Sequence, residues 1–227
     1  KQKTAYEIRL SLVGSEMCIR DSIKALVMLQ EAFRLPGDVL VLVPVLFLYV
    51  PVFWLRRQGL DQHDYALTLE GWRPALRFNL VIFLVLLPPF VIGNHLFQQV
   101  VFHRGPVGLW PKDFFFGVVV YQLLFVGIPE EFFYRGYMQS RLNEVFPRRF
   151  RLFGVSFGWG LLLTALLFTI GHSIVIVRWW HFSIVLPALV FGWIRERTGN
   201  VVASSLFHAG CNILMVTLDT YYGVIKP

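Results

Sequence analysis

The chain has 227 residues, of which 15% are charged and 56% hydrophobic, and its formal net charge is +7. An ordinary soluble domain carries about 25% charged residues, so this balance excludes disorder, a coiled coil and collagen, and it speaks against a soluble globule. Two cysteines, Cys18 and Cys211, cannot build a disulfide framework or a thiolate metal cage. The surplus Arg and Lys lie mainly between apolar runs, the arrangement of membrane topology and not of nucleic-acid binding.

Residues 1–22, KQKTAYEIRLSLVGSEMCIRDS, differ in character from the rest of the chain. They lack a starting Met, have no sustained apolar run and fit no signal-peptide layout. We read them as a non-native or misread segment, with the true amino terminus outside this chain and residues 23–227 as one membrane-embedded domain.

Six runs free of Asp, Glu, Lys and Arg come next, at 39–55, 78–103, 114–129, 152–177, 179–194 and 198–218. A spanning helix needs about 17–25 mostly apolar residues. Four runs reach that length; the third and fifth fall short and end or begin at Glu130 and Arg178. These two can extend if the charge faces protein or a wet cavity. The expected fold is an all-α, polytopic transmembrane bundle of about six spans, an integral membrane protein. Loops after the first, third and fifth runs hold eleven Lys and Arg against six elsewhere in residues 23–227, which places those loops in the cytoplasm. The most basic stretch, 141–151, is expected to meet anionic headgroups.

Ionisable side chains at membrane depth cost about 2.5–3.5 kcal/mol each on insertion scales, and three clusters carry them. The first is Pro129-Glu130-Glu131-Phe132-Phe133-Tyr134-Arg135. Pro suits a first helical turn, so a kink near Gly127 and a helix beginning at Pro129 are expected. Glu131 and Arg135 are four apart and can pair, while Glu130 points about 100° away. The second cluster ends at His172, after Phe168-Thr169-Ile170-Gly171. The third places His208 and Asn212 on one helix face among the small residues Ala203, Ser204, Ser205, Ala209 and Gly210. Taken singly, these read equally well as an ion pair at a helix start, a core histidine and an interhelical hydrogen bond. Together they supply two carboxylates, two imidazoles and a carboxamide, the parts needed to hydrolyse an acyl compound.

The ordered set Glu130-Glu131-x-x-x-Arg135, Phe168-x-x-x-His172 and His208-x-x-x-Asn212 resembles the CPBP family of CAAX prenyl endopeptidases and bacteriocin-processing or immunity-type membrane proteins. Arg197-Thr198-Gly199-Asn200 is similar to a short turn of that family, and the resemblance covers about residues 114–222. It implies a glutamic-type intramembrane endopeptidase without a metal cofactor. Carried over by position, Glu130 would activate water, His172 would orient it, and His208 with Asn212 would form the oxyanion hole. Glu131 and Arg135 would support the site, Glu131 sharing in catalysis or not. The implied partners are the lipid bilayer and a membrane-associated substrate that is prenylated, leader-bearing or anchored at its carboxyl terminus, as in the myxosortase branch. The implied setting is a bacterial cytoplasmic membrane. A zinc protease on His172, His208 and a Glu, and a non-catalytic scaffold or immunity protein of the same fold, are the alternatives. A depth problem accompanies the set. With the spans as drawn, His172 falls near the far leaflet while His208 lies about eight residues inside the cytoplasmic edge, so helix 152–172 must tilt or begin deeper.

Overall fold

Helix α1 (Leu42–Gln58) begins the ordered helices of the computed structural model, which describes residues 42–68, 70–110, 115–175 and 179–225. Residues 1–22 and the start of the first apolar run lie outside the described residues. Arg56 and Arg57 close α1 in its last turn, where cations complement the helix dipole, and Gly59 leaves the helix at φ 66°. A short turn of 3₁₀ helix at His63–Tyr65 leads to α2 (Trp72–Val100), 29 residues that cover about 44 Å.

Helix α3 runs from Phe115 to Val145 without a break. It continues through Pro129 by widening into π-helical turns at Gln122–Gly127 and Phe132–Met138. The expected new helix start at Pro129 is therefore corrected, since the helix is already under way there. Pro129 cannot donate to a carbonyl one turn back, and the π turn immediately before it absorbs the mismatch within one helix. The run 114–129 was too short because α3 carries Glu130, Glu131, Arg135 and Arg141 onward inside protein before the exposed Glu144 near its end.

A two-stranded antiparallel hairpin, β1 (Arg149–Leu152) and β2 (Val155–Gly158), precedes α4 (Trp159–Val175). A 3₁₀ segment at Trp179–Ile184 then enters α5 (Val185–Thr198). Gly199, at φ 73°, ends α5, and Asn200 caps α6 (Val201–Tyr221), its Oδ1 accepting from the Val202 and Ala203 amides at 3.1 and 3.4 Å. The same side chain donates to the Glu70 carbonyl at 2.9 Å, so one cap also fastens the α1–α2 loop.

The fold is thus the expected helical membrane bundle. Among the described residues, six principal helices stand near the six apolar runs, and three of them, α2, α3 and α6, are long and apolar enough to cross a membrane. α3 is the hub. Phe133 and Tyr134 pack on Phe47 of α1, Tyr134 meets Phe168 of α4, and Arg135 reaches the Ala188 carbonyl of α5. The Glu196 carboxylate of α5 accepts from Gln139, Asn143 and Arg149 at 2.8–3.0 Å, binding α3, the hairpin and α5 together.

The hairpin resolves the depth problem, because α4 begins at Trp159 and not at residue 152. A Cβ on Gly160 would collide with the Gln139 carbonyl of α3, whereas Val201, at the start of α6, faces Gly136. Measured along α3, α4 therefore starts about one turn nearer the carboxyl-terminal end of α3 than α6 does. Phe168 then bridges the remaining offset, its ring centroid 4.4 Å from that of His172 and 5.7 Å from that of His208.

Close approach of α3 to α6 depends on Gly127, where an added Cβ would stand 2.9 Å from the Ser205 carbonyl and 3.3 Å from the Ala209 Cβ. Gly127→Leu should therefore force these helices apart and cost about 1–3 kcal/mol through overpacking. Thermal unfolding in detergent should show a lowered Tm, and an unchanged Tm would mean that the contact is looser than described.

Candidate active site

The polar residues of the three clusters meet where α3, α4 and α6 cross. Glu131 is fully buried, and its Oε1 accepts from Arg135 Nη1 at 2.9 Å and from His208 Nδ1 at 3.0 Å. The i, i+4 spacing on α3 makes the first contact, and the glycine-and-serine interface with α6 makes the second. Arg135, equally buried, donates through Nη2 to the Ala188 carbonyl at 3.1 Å. Its guanidinium also lies 4.3 Å from the ring centre of Phe168 and 5.1 Å from that of Phe191. Desolvated cation–π contacts of this kind contribute about 2 kcal/mol, which helps offset the burial of the charge.

Glu130 occupies a different setting. Its side chain is 17% exposed, Oε2 has no hydrogen-bond partner, and that oxygen lies 3.9 Å from His208 Nε2. His208 thus turns one ring nitrogen to each glutamate, with its ring stacked on Phe191 at 4.7 Å and 19°.

His172 donates from Nδ1 to the Phe168 carbonyl one turn back, at 2.9 Å. In the neutral ring this leaves Nε2 as an acceptor. Asn212 uses one amide hydrogen on Gln122 Oε1 at 2.9 Å and keeps the other. His172, His208 and Asn212 all line one cavity of about 670 Å³. The remaining wall is mostly apolar, with Phe83, Leu87 and Phe90 from α2, Pro187 from α5 and Met215 from α6. Cys211 lines it as well.

All six residues singled out from the sequence are therefore connected. Glu130, Glu131 and Arg135 gather around His208, while His172 and Asn212 share its cavity. Sequence reasoning missed Gln122, Phe191 and the Ala188 carbonyl. Gln122 had a readable signal, an amide inside an apolar run; Phe191 and Ala188 had none, since they act through a ring face and a backbone oxygen. Among the described residues, no group of three or more His, Cys, Asp or Glu is placed to hold a metal ion.

A helical bundle thus brings two imidazoles and a carboxamide to one cavity, with the two carboxylates against His208. Residues 112–214 match the family described as Type II CAAX prenyl endopeptidase Rce1-like. The resemblance read from Glu130 to Asn212 is borne out at this level, for the prenyl endopeptidase type and not for a narrower branch such as the myxosortases. No curated protein and no solved structure matches the chain. The matched segment is similar to a family of membrane proteases, and among the described residues three helices are long and apolar enough to cross a membrane.

Removing one member of a buried ion pair costs about 3–5 kcal/mol, because the partner is left charged and unpaired. Arg135→Met should therefore lower the amount of folded protein sharply, and Glu131→Gln should do so too. The Glu131→Gln, Arg135→Met double variant should lose less than the sum of the two. Additive losses in a denaturation cycle in micelles would show that the pair is not coupled.

Proposed function

We propose that the chain is a glutamate-dependent intramembrane endopeptidase in which Glu130 is the general base. The observation that carries this reading is the contrast between two adjacent carboxylates. Glu131 is fully enclosed with its Oε1 held by Arg135 and His208, whereas the Glu130 side chain stays 17% exposed beside His208 Nε2. Glu130 takes a proton from water, and the hydroxide attacks the scissile carbonyl carbon. His172 holds the water through its free Nε2. The carbonyl oxygen becomes an oxyanion that accepts from the remaining Asn212 N–H and from His208 when Nε2 carries a proton. The C–N bond then breaks, and Glu130 returns its proton to the leaving nitrogen.

The apolar wall of the cavity suits a substrate delivered from the bilayer, and the family supports a prenylated carboxyl terminus as the first substrate to try. A bacteriocin leader and a carboxyl-terminal sorting anchor are the other members of the same substrate class. The proposed setting is a bacterial cytoplasmic membrane, with residues 23–227 forming one protease domain.

Cleavage of a fluorogenic farnesylated CAAX peptide by the purified protein tests the mechanism. Glu130→Ala and His172→Ala should abolish turnover while leaving the melting curve in place. Asn212→Ala should lower kcat by about 10²–10³-fold, the usual loss for one oxyanion donor. Chelation should leave the rate unchanged. Near-normal turnover by Glu130→Ala would remove the proposed base, and zinc-restorable loss on chelation would replace the mechanism by a metal-dependent one.

A further inference from the structure

The hairpin β1–β2 contains an aromatic side chain that the protein itself does not use. Phe153 is 85% exposed at the hairpin tip, with φ 50°, and is followed by Gly154 at φ 76°. Leu152 pairs with Val155 across them, so the connection is two residues long with both φ values positive. Such turns favour Asn or Asp before Gly, and a bulky side chain is disfavoured in the left-handed region. The local rule is broken here without any return from packing. Phe150, three residues earlier, shows the contrast, since its ring meets Phe157 and Trp159.

The position of the tip supplies the missing partner. The Leu152 carbonyl accepts from the Trp193 indole of α5 at 3.4 Å, and Trp193 lies five residues before the end of that helix. The tip therefore sits alongside the bundle, about 7 Å short of the end of α5, and does not project beyond it. Leu152 is half exposed beside Phe153, and Trp72 and Trp159 present partly exposed indoles among the residues that begin α2 and α4. Trp at this level marks a membrane–water interface.

Charge points the same way. Arg149 is fixed by Glu196 and by the Ser156 carbonyl, which fastens the hairpin to α5. Arg148 and Arg151 are exposed and have no ion-pair partner among the described residues, Arg148 lying only over the Phe150 ring. A rigidly held tip that pairs an unpacked Phe and Leu with two free guanidinium groups complements an anionic headgroup layer.

We propose that this hairpin is a membrane foot. Phe153 and Leu152 enter the headgroup boundary of the cytoplasmic leaflet of the bilayer that holds the bundle, and Arg148 and Arg151 bind its anionic headgroups. The foot is independent of the proteolytic mechanism. It fixes the depth of the cytoplasmic end of α4, the helix that carries His172.

A nitroxide on Phe153→Cys, in full-length protein with Cys18 and Cys211 replaced by Ala, reports the depth by power saturation in nanodiscs. In phosphatidylcholine discs containing phosphatidylglycerol, the label should be reached by oxygen far more than by a water-soluble nickel chelate. Arg148→Gln and Arg151→Gln should each weaken the phosphatidylglycerol dependence by about fivefold. A label as open to the nickel reagent as a solvated loop, in discs with or without the anionic lipid, would overturn the proposal. Phe153→Asn gives a second reading, because Asn suits the turn. It should keep the Tm in detergent yet lose the Tm gain that phosphatidylglycerol gives the parent, and an equal gain in both would also overturn the foot.

Discussion

One carboxylate oxygen holds the centre of this molecule. Glu131 Oε1 accepts from Arg135 and from His208, each at about 3 Å, in a place with no solvent exposure. Burying a carboxylate costs several kcal/mol unless its charge and lone pairs are satisfied. The two donors satisfy this oxygen only if α3 and α6 lie close enough for His208 to reach across. The small residues at the crossing allow that approach, and the Glu131–His208 bond makes any other spacing costly. Arg135 extends the constraint to α5 through the Ala188 carbonyl and to α4 through the face of Phe168. Three helices are thus positioned by one charge-centred contact, and the cavity wall is assembled by the same contact.

Much of this was legible because an apolar chain makes polar residues conspicuous. Glu130, Glu131, Arg135, His172, His208 and Asn212 stand out where every ionisable group needs a reason. The i, i+4 spacings 131–135 and 208–212 told which side chains share a face, and they do. Gln122 was equally visible in principle, though its partnership with Asn212 is a tertiary fact that no spacing along one helix reveals. Phe191 looked like any core aromatic, and only the packing shows that its ring face carries both His208 and the Arg135 guanidinium.

The misreadings share one physical cause. Run lengths between charges locate spans only if charges stop helices, and here they do not. α3 continues through five charged residues because each lies within reach of protein groups, Glu144 through Tyr65 and Arg141, and it passes Pro129 by borrowing a π turn. The opposite error occurred at residues 152–158, an apolar and aromatic stretch taken for the start of a span. Phe150, Phe157 and Val155 alternate as strands do, and the turn at Phe153-Gly154 folds them back before α4 begins. That seven-residue shift matters for function, because it lowers His172 toward the level of His208.

Two adjacent glutamates raise the question of which does chemistry, and the fold itself separates them. A residue step of 100° along α3 turns Glu131 inward to the Arg135 and His208 donors, while Glu130 faces the outer edge of the same imidazole. A base must hold a lone pair that is not already taken and must be reachable by water. Glu131 fails on access, being wholly enclosed, and its Oε1 is shared between two donors. Glu130 keeps 17% of its side chain exposed, with Oε2 3.9 Å from His208 Nε2. The division of labour follows from helical geometry. The inward carboxylate holds His208, and the neighbour one step around the helix, which we propose as the base, faces the same imidazole with part of its side chain open.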